Sequence, residues 1–329
     1  MQVPAQFEYR RATSVEHAVA LLTRHAEARV LAGGHSLIPM MKLRIAQPEV
    51  LVDINDLTVL GGVRVEAGEL RLGALLRHAE LLASVEAGER VPMLHDAERV
   101  IADPVVRNRG TVGGSVCQAD PSEDLSAALA ALRAEVVIEG PGVDSGAGRR
   151  VVPVREFHRG PYQTCIGDAE ILVEVRVPVR PGQSSAYTKV KRRVGDWAVA
   201  GVGVALRLDG GTVAEVGIGL TAVGAEHFVA AEAEGFLRGG PATVEAFTEA
   251  GRIAAEHSNP GGSARPRRLQ APPGRRARRP GVAHRVRSPR RAAEGGLTCR
   301  SPSPSTGSRR PATSSLACCS CTSCATSWA

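Results

Sequence analysis

Hydrophobic periodicity stops abruptly near Gly261, and this feature sets how much of the chain can fold. Up to His257 the sequence runs through helical and strand-type apolar patterns. Beyond Gly261, Arg, Pro, Ser and Gly dominate, and no window offers an apolar face to bury. The expectation is a folded body, residues 1–260, followed by a disordered tail, residues 261–329. Charge divides at the same place. From Gly262 onward fourteen arginines stand against one acid, Glu294, which more than accounts for the chain's formal +7 and leaves the body net acidic. An acidic body gives no electrostatic reason to bind nucleic acid. Of seven cysteines only Cys117 and Cys165 lie in the body, too few for an iron–sulfur cluster or a disulfide framework. The N-terminal segment lacks the apolar stretch of a secretory signal, and no run is long enough to span a bilayer. A soluble, cytoplasmic protein is expected.

Along the body, Thr13 and Glu16 have capping-box spacing ahead of an apolar stripe at Val15, Ala18, Val19 and Leu22, which predicts a helix. A short strand at Arg29–Ala32 enters a Gly33-Gly34 turn. A helical piece at Met40–Ile45 and a buried strand at Val50–Ile54 follow. Val63–Glu66 and Glu69–Leu72 read as paired strands around an Ala-Gly turn, and Leu76–Ser84 and Pro92–Ile101 as helices. Asp103–Gly110 reads as irregular, with Pro104 and Gly110 as breakers, and Thr111–Ser115 as a loop before an Ala/Leu-rich helix at Ser122–Ala134. Strands are expected at Glu135–Glu139, Val151–Val154 and Ile171–Val177. After Pro178 the character changes. Three β-type runs (Ala186–Arg193, Ala198–Leu208, Val213–Val223) precede helices at Phe228–Leu237 and Val244–His257, a second α+β unit with its boundary near Pro178–Gln183.

Two Gly-Gly motifs carry the chemistry: Ala32-Gly33-Gly34-His35-Ser36 and Thr111-Val112-Gly113-Gly114-Ser115. Adjacent glycines let backbone approach a ligand closely and can turn several N–H groups onto one anion, so two such loops could grip the two phosphates of a dinucleotide. A single Gly-Gly pair is more often a plain turn. Neither motif fits G-x-G-x-x-G or the P-loop signature, so a phosphate bound here belongs to a different fold.

The stretch AGGHSLIPMMKLRIAQPEVLVDI from Ala32, TVGGSVCQADPSEDL at Thr111–Leu125 and AYTKVKRRVGDWAVAGVGVAL at Ala186–Leu206 resemble the FAD-binding subunits of the xanthine dehydrogenase and aerobic carbon monoxide dehydrogenase family of molybdenum hydroxylases. The resemblance covers about residues 1–260. It implies an α+β fold: a two-part FAD-binding domain of the PCMH (vanillyl-alcohol-oxidase-like) type over 1–177, then a small α+β domain of the CO dehydrogenase flavoprotein type over 178–260. It implies noncovalent FAD, with pyrophosphate at Ala32, Gly33, Gly34, His35 and Ser36 and at Thr111, Val112, Gly113, Gly114 and Ser115. Asp124 would bond a cofactor hydroxyl, Lys189 (or its neighbour Lys191) would lie near the flavin, and Ile101 and Val173 would supply apolar contacts. No catalytic acid, base or metal ligand is expected on this chain. The molybdenum cofactor and 2Fe-2S clusters would sit on a large and a small partner subunit, in a heterotrimer that dimerises. Electrons would pass through the FAD to quinone, NAD or another acceptor, and a quinone would bring peripheral membrane contact.

Each residue also has a plainer reading. Asp124 at a helix start could simply complement the macrodipole. Lys189 shares a strand face with Lys191 and Arg193, which would suit a solvated basic edge. His35 could suggest a covalent flavin link or a metal ligand, but no second ligand is suitably spaced, so a loop histidine contacting phosphate is expected. Cys117 reads as a small buried hydrophobe rather than a nucleophile. Two other function classes stand beside the flavoprotein subunit: a stand-alone FAD-dependent reductase on a related fold, and a nucleic-acid binder resting on the Arg-rich tail alone.

The tail itself reads as a frameshift product. With permissible codons, reading from the second base of Ser263 onward can give ARGPADYKRHLAGELA, similar to a family ending, and at Gly296-Leu297 the same frame can give GCC TGA, whose second codon is a stop. A start can fall across Thr298-Cys299, opening a frame that resembles the beginning of the iron–sulfur subunit. On this reading the three-residue spacing of Cys318, Cys321 and Cys324 is no zinc site.

Overall fold

The computed structural model describes residues 3–142 and 148–258. The expected disordered and frameshifted tail, with its cysteines and arginines, lies outside the described residues.

The first layer is a parallel sheet of β1 (Glu8–Arg11), β3 (Val50–Asp53) and β2 (Ala28–Leu31), in that order. Parallel strands need a crossover, and α1 (Val15–Arg24) supplies it between β1 and β2. Its buried face, Val15, Ala18, Val19, Leu21 and Leu22, packs in one core with Val50, Val52 and Ile54. The cap differs from expectation by one residue. Ser14, not Thr13, accepts the His17 N–H at 3.1 Å. After β2 the chain turns through Gly33-Gly34 into α2 (Leu37–Lys42), a short helix that begins earlier than the expected Met40.

The second layer is an antiparallel sheet of β4 (Val63–Glu66), β5 (Glu69–Gly73), β6 (Glu135–Glu139), β7 (Arg149–Pro153) and β10 (Ile171–Pro178), while β8 (His158–Gly160) and β9 (Gln163–Thr164) pair as a separate ribbon. The spatial order in the sheet is β4-β5-β10-β6-β7. Ala67 and Gly68 join β4 to β5 with positive φ at both positions (52° and 78°), the two-residue hairpin geometry that matches strand twist. Between β5 and β6 come α3 (His78–Ala83), α4 (Val85–Arg90), α5 (Pro92–Val100), α6 (Pro104–Arg109), α7 (Val112–Gln118) and α8 (Asp124–Ala131).

Two stretches expected to be irregular are helical. Asp103 Oδ1 accepts the Val106 N–H at 2.9 Å and Pro104 occupies the first helical position, so the proline read as a breaker starts α6. Thr111 Oγ1 accepts the Gly114 N–H at 3.0 Å, so Thr111–Ser115 is the cap and first turn of α7 rather than a loop.

The third layer is an antiparallel meander of β11 (Gln183–Lys191), β12 (Ala198–Asp209) and β13 (Thr212–Thr221), backed by α10 (Ala231–Leu237) and α11 (Val244–Glu256). It closes over α8, every residue of which is buried. A helix apolar all round needs cover on every side. Glycines on β13 allow the close approach: a Cβ on Gly217 would overlap the Ala131 carbonyl, and one on Gly219 the Ala127 carbonyl. A buried carboxylate ties the layers further. Glu234 on α10 accepts the Ile218 N–H at 2.7 Å and binds Arg155 at 2.6 and 2.9 Å and Arg133 at 3.3 Å. Arg155 belongs to α9 (Val154–Phe157), which follows β7.

Candidate cofactor site

The first Gly-Gly motif packs against the residues that lead into the second. Gly33 lies against the segment just before the second motif: a Cβ there would intrude on the Arg109 carbonyl and stand 2.8 Å from Gly110 Cα. Polar bridges fix this approach. Asn55 Nδ2 donates to the Ala32 carbonyl at 2.7 Å, and Asn55 Oδ1 accepts from Arg77 Nη2 at 2.8 Å. Arg77 Nη1 in turn donates to the Arg109 carbonyl at 2.5 Å. Asn55 is itself held by Asp53, whose Oδ1 takes the Asn55 N–H at 2.8 Å and whose Oδ2 takes the Tyr9 hydroxyl at 2.5 Å. These bonds to Tyr9 and Asn55, with Arg11 nearby, hold the Asp53 carboxyl below its ordinary range although burial acts the other way. Neither Asn55 nor Arg77 stands out in the sequence, because no local pattern marks a side chain that bridges two distant loops.

The motifs differ in what they can offer an anion. In the first, the N–H groups of Gly33, Gly34, His35, Ser36 and Leu37 have no acceptor among the described residues. Gly34 adopts φ 81°, a left-handed conformation that costs glycine little. Five successive free N–H groups at a bend and helix start form a concavity suited to an anion. The second motif uses its N–H groups internally. Val112 donates to the Leu76 carbonyl, Gly113 to the Ala74 carbonyl, Gly114 to Thr111 Oγ1 and Ser115 to the Thr111 carbonyl. Its glycines answer to packing: a Cβ on Gly113 would stand 2.8 Å from Ala74 Cβ, and one on Gly114 2.6 Å from Thr111 Oγ1. Its accessible donor is therefore the half-buried Ser115 hydroxyl, since Thr111 is fully buried.

Val173 joins this group through Ala74, whose N–H donates to the Val173 carbonyl while its own carbonyl accepts from Gly113. The Val173 side chain shares a core cluster with Ala32. His35 and Ser36 are exposed.

A second group gathers at the α8 N-terminus. Lys189 Nζ donates to Asp124 Oδ2 at 2.7 Å and to the Val100 carbonyl at 3.1 Å, which sets it beside Ile101. The Lys189 side chain is 2% exposed, so the solvated-edge reading does not hold. Tyr187, absent from the sequence reading, donates its hydroxyl to Asp124 Oδ1 at 2.8 Å. Burial raises the Asp124 carboxyl above its ordinary range even with Lys189 and Tyr187 bound to it, and burial also raises the Tyr187 hydroxyl. Next to it, Glu123 caps α8 by accepting the Leu125 and Ser126 N–H groups, and burial pushes its carboxyl up to about 7. Burial likewise pushes the Cys117 thiol up to about 12, which suits an inert side chain. A surface depression of about 480 Å³ lined by Arg192–Asp196 adjoins this group, with Gly195 against Ala102.

Residues 5–180 match the FAD binding domain in molybdopterin dehydrogenase, and residues 185–269 match the CO dehydrogenase flavoprotein C-terminal domain. The chain belongs to this family of FAD-binding molybdopterin dehydrogenase subunits. As a family member it is an FAD-binding oxidoreductase component with the α+β, two-domain architecture expected from its sequence. It is 46% identical over 223 residues to the carbon monoxide dehydrogenase medium chain of Hydrogenophaga pseudoflava, covering 67% of this chain and 76% of that one. It is 37% identical over 231 residues to the glyceraldehyde dehydrogenase medium chain of Sulfolobus acidocaldarius (70% and 80% covered). Among solved structures it superposes with TM-score 0.77 on a carbon monoxide dehydrogenase from H. pseudoflava that lacks the Mo-pyranopterin moiety of the molybdenum cofactor. That match has 43% identity and covers 82% of this chain and 93% of the other. Among the described residues no helix is long and apolar enough to cross a membrane.

Proposed function

We propose that this chain is the electron-transfer subunit of a cytoplasmic molybdenum hydroxylase, and that it binds one FAD noncovalently. The observation that carries the proposal is the run of five free N–H groups from Gly33 to Leu37, docked against Arg109 and Gly110, which lead into the second Gly-Gly motif. Bound there, the flavin would supply the redox chemistry, and the protein positions it and tunes its surroundings. Gly33–Leu37 would hold pyrophosphate oxygens through main-chain donors, and the α7 start would add the Ser115 hydroxyl while Gly113 and Gly114 keep the helix close. Asp124 has lone pairs beyond those used by Lys189 and Tyr187, so it can also accept a cofactor hydroxyl. Lys189 would offset part of the burial that raises that carboxyl, and Ile101 and Val173 would offer apolar contact.

Electrons would reach this chain from a molybdenum cofactor on a large subunit by way of 2Fe-2S clusters on a small one, then leave to quinone, NAD or another acceptor. The dimerised heterotrimer, and peripheral membrane contact if the acceptor is a quinone, belong to the same proposal. Acid precipitation of the purified chain, followed by a spectrum of the supernatant, tests the cofactor assignment. Released flavin at one per chain supports it. A folded but colourless protein, or flavin that stays on the peptide, overturns it.

A further inference from the structure

Behind the second motif lies a buried ionisable pair that the proposed cofactor contacts do not use, linked to Ser115, which they do. His78, at the start of α3, is 2% exposed, and Glu98 on α5 is fully buried. His78 Nδ1 stands 3.0 and 3.1 Å from the two Glu98 carboxylate oxygens, and its Nε2 stands 3.1 Å from Ser115 Oγ. The histidine backbone is held as well, its N–H donating to the Gly110 carbonyl. A Cβ on Gly110 would stand 2.9 Å from the ring, so the imidazole has little freedom to leave. The half-buried Ser115 hydroxyl is the outward end of this linkage.

With Nδ1–H committed to Glu98, the protonation of Nε2 decides which way Ser115 points its single proton. Neutral His78 accepts the Ser115 O–H through Nε2, leaving only oxygen lone pairs toward a ligand. Protonated His78 donates Nε2–H to Ser115 Oγ, and the hydroxyl is free to donate outward. Because α7 spends its first N–H groups internally, this hydroxyl is the accessible donor the second motif has for an anion.

We propose that His78 and Glu98 are positioning residues that turn Ser115 into a proton-dependent donor for the FAD pyrophosphate, so that cofactor binding takes up a proton at His78. This inference rests on the assignment of pyrophosphate to Ser115 made above. The charged groups facing His78 are Glu98 from α5, Glu123 from the cap of α8 and Arg107 from α6. The two acids outweigh burial and Arg107, so the imidazole titrates above its ordinary value. A bound phosphate adds a further negative charge and favours the imidazolium again.

The sign follows from linkage. FAD binds tightest while His78 is protonated and weakens as pH rises through its titration. The change is at most tenfold per pH unit for one proton. Its total is about 10-fold or more, the value of one hydrogen bond to a charged group. The pyrophosphate keeps its charge throughout, so it contributes no titration of its own.

The full-length chain, stripped of flavin, is titrated with FAD from pH 6 to pH 9 by flavin fluorescence quenching. The wild-type Kd should rise with pH and then level. His78→Gln places a permanent amide donor against Ser115 and should give a flat profile. Glu98→Gln should shift the rise to lower pH, because the imidazolium loses its counter-charge. Glu123→Gln should keep the rise, which separates His78 from the neighbouring carboxyl. If His78→Gln does not fold, Ser115→Ala makes the same comparison: weaker, flat binding supports the relay and a retained slope refutes it. A flat wild-type profile, or a slope that survives His78→Gln, overturns the relay while leaving FAD binding intact. No FAD binding at any pH overturns both.

Discussion

Replacing Glu234 by alanine would remove the acceptor that ties the third layer to the second. The buried carboxylate, 3% exposed, receives the Ile218 N–H, two bonds from Arg155 and one from Arg133. Truncating one partner of a buried ion pair costs about 3–5 kcal/mol, and leaving a buried backbone N–H unmet accounts for roughly 1–3 kcal/mol of such a loss. Here the guanidinium groups are not sealed: the Arg155 and Arg133 side chains are 20% and 35% exposed and can recover water. The low end, about 3 kcal/mol, is therefore expected. At roughly 2–4 °C per kcal/mol for a body of this size, Tm should fall by about 10 °C. Glu234→Gln keeps an acceptor for Ile218 and should lose about half as much. Urea unfolding followed by circular dichroism, with the midpoint and slope fitted for wild type and both variants, measures the difference. A loss below about 1 kcal/mol for the alanine variant, or equal losses for both, would show that the arginines simply rehydrate and that the carboxylate does not hold the layers together.

Gly33→Val should abolish FAD retention, since its Cβ would collide with the Arg109 carbonyl and Gly110; Gly114→Val should do the same by striking Thr111 Oγ1. Flavin absorbance per chain after gel filtration is the check, and full retention in a folded variant would contradict the close approach. Asn55→Ala cuts the link between the Ala32 carbonyl and Arg77; FAD Kd should rise about 5- to 10-fold, the value of a neutral hydrogen bond lost from the scaffold. Lys189→Met strands the buried Asp124 with Tyr187 alone, and should cost about 3 kcal/mol in stability. Glu123 has a folded pKa raised to about 7 by burial, so the native state holds its proton more tightly than the unfolded chain does. Stability should therefore fall as pH rises from the ordinary carboxylate range to about 7. Glu123→Gln should flatten that decline, as seen by comparing urea midpoints at pH 5 and pH 8.

Long strands and the longer helices were legible because their apolar periods are local. Ile171–Pro178, Ala198–Asp209 and Val244–Glu256 lie within a residue or so of expectation. The short helices α4, α6 and α7 escaped, since six or seven residues hold less than two turns of pattern and their caps, Ser84, Asp103 and Thr111, also suit turns. Both Gly-Gly motifs stood out as backbone features, yet their chemistry differs. Only the structure separates free N–H groups at Gly33–Leu37 from the internally bonded turn at Thr111–Ser115. The partners of the named residues were not legible for a related reason. Tyr187 bonds Asp124 across 63 positions and Arg77 reaches Asn55 across 22, and no spacing rule spans such distances.

The contact between β13 and α8 works as an index. Ala127 and Ala131 are about 6 Å apart along a helix axis, and Gly217 and Gly219 about 6.8 Å apart along an antiparallel strand. These near-equal steps run in opposite senses, with Gly217 over Ala131 and Gly219 over Ala127. Sliding the sheet by a fraction of that step would drive a carbonyl into the space a neighbouring side chain fills, so the docking can advance only by whole notches. Lys189 and Tyr187 ride on the same sheet and Asp124 on the same helix. Their alignment to within a hydrogen bond is thus inherited from four residues chosen for having almost no side chain at all.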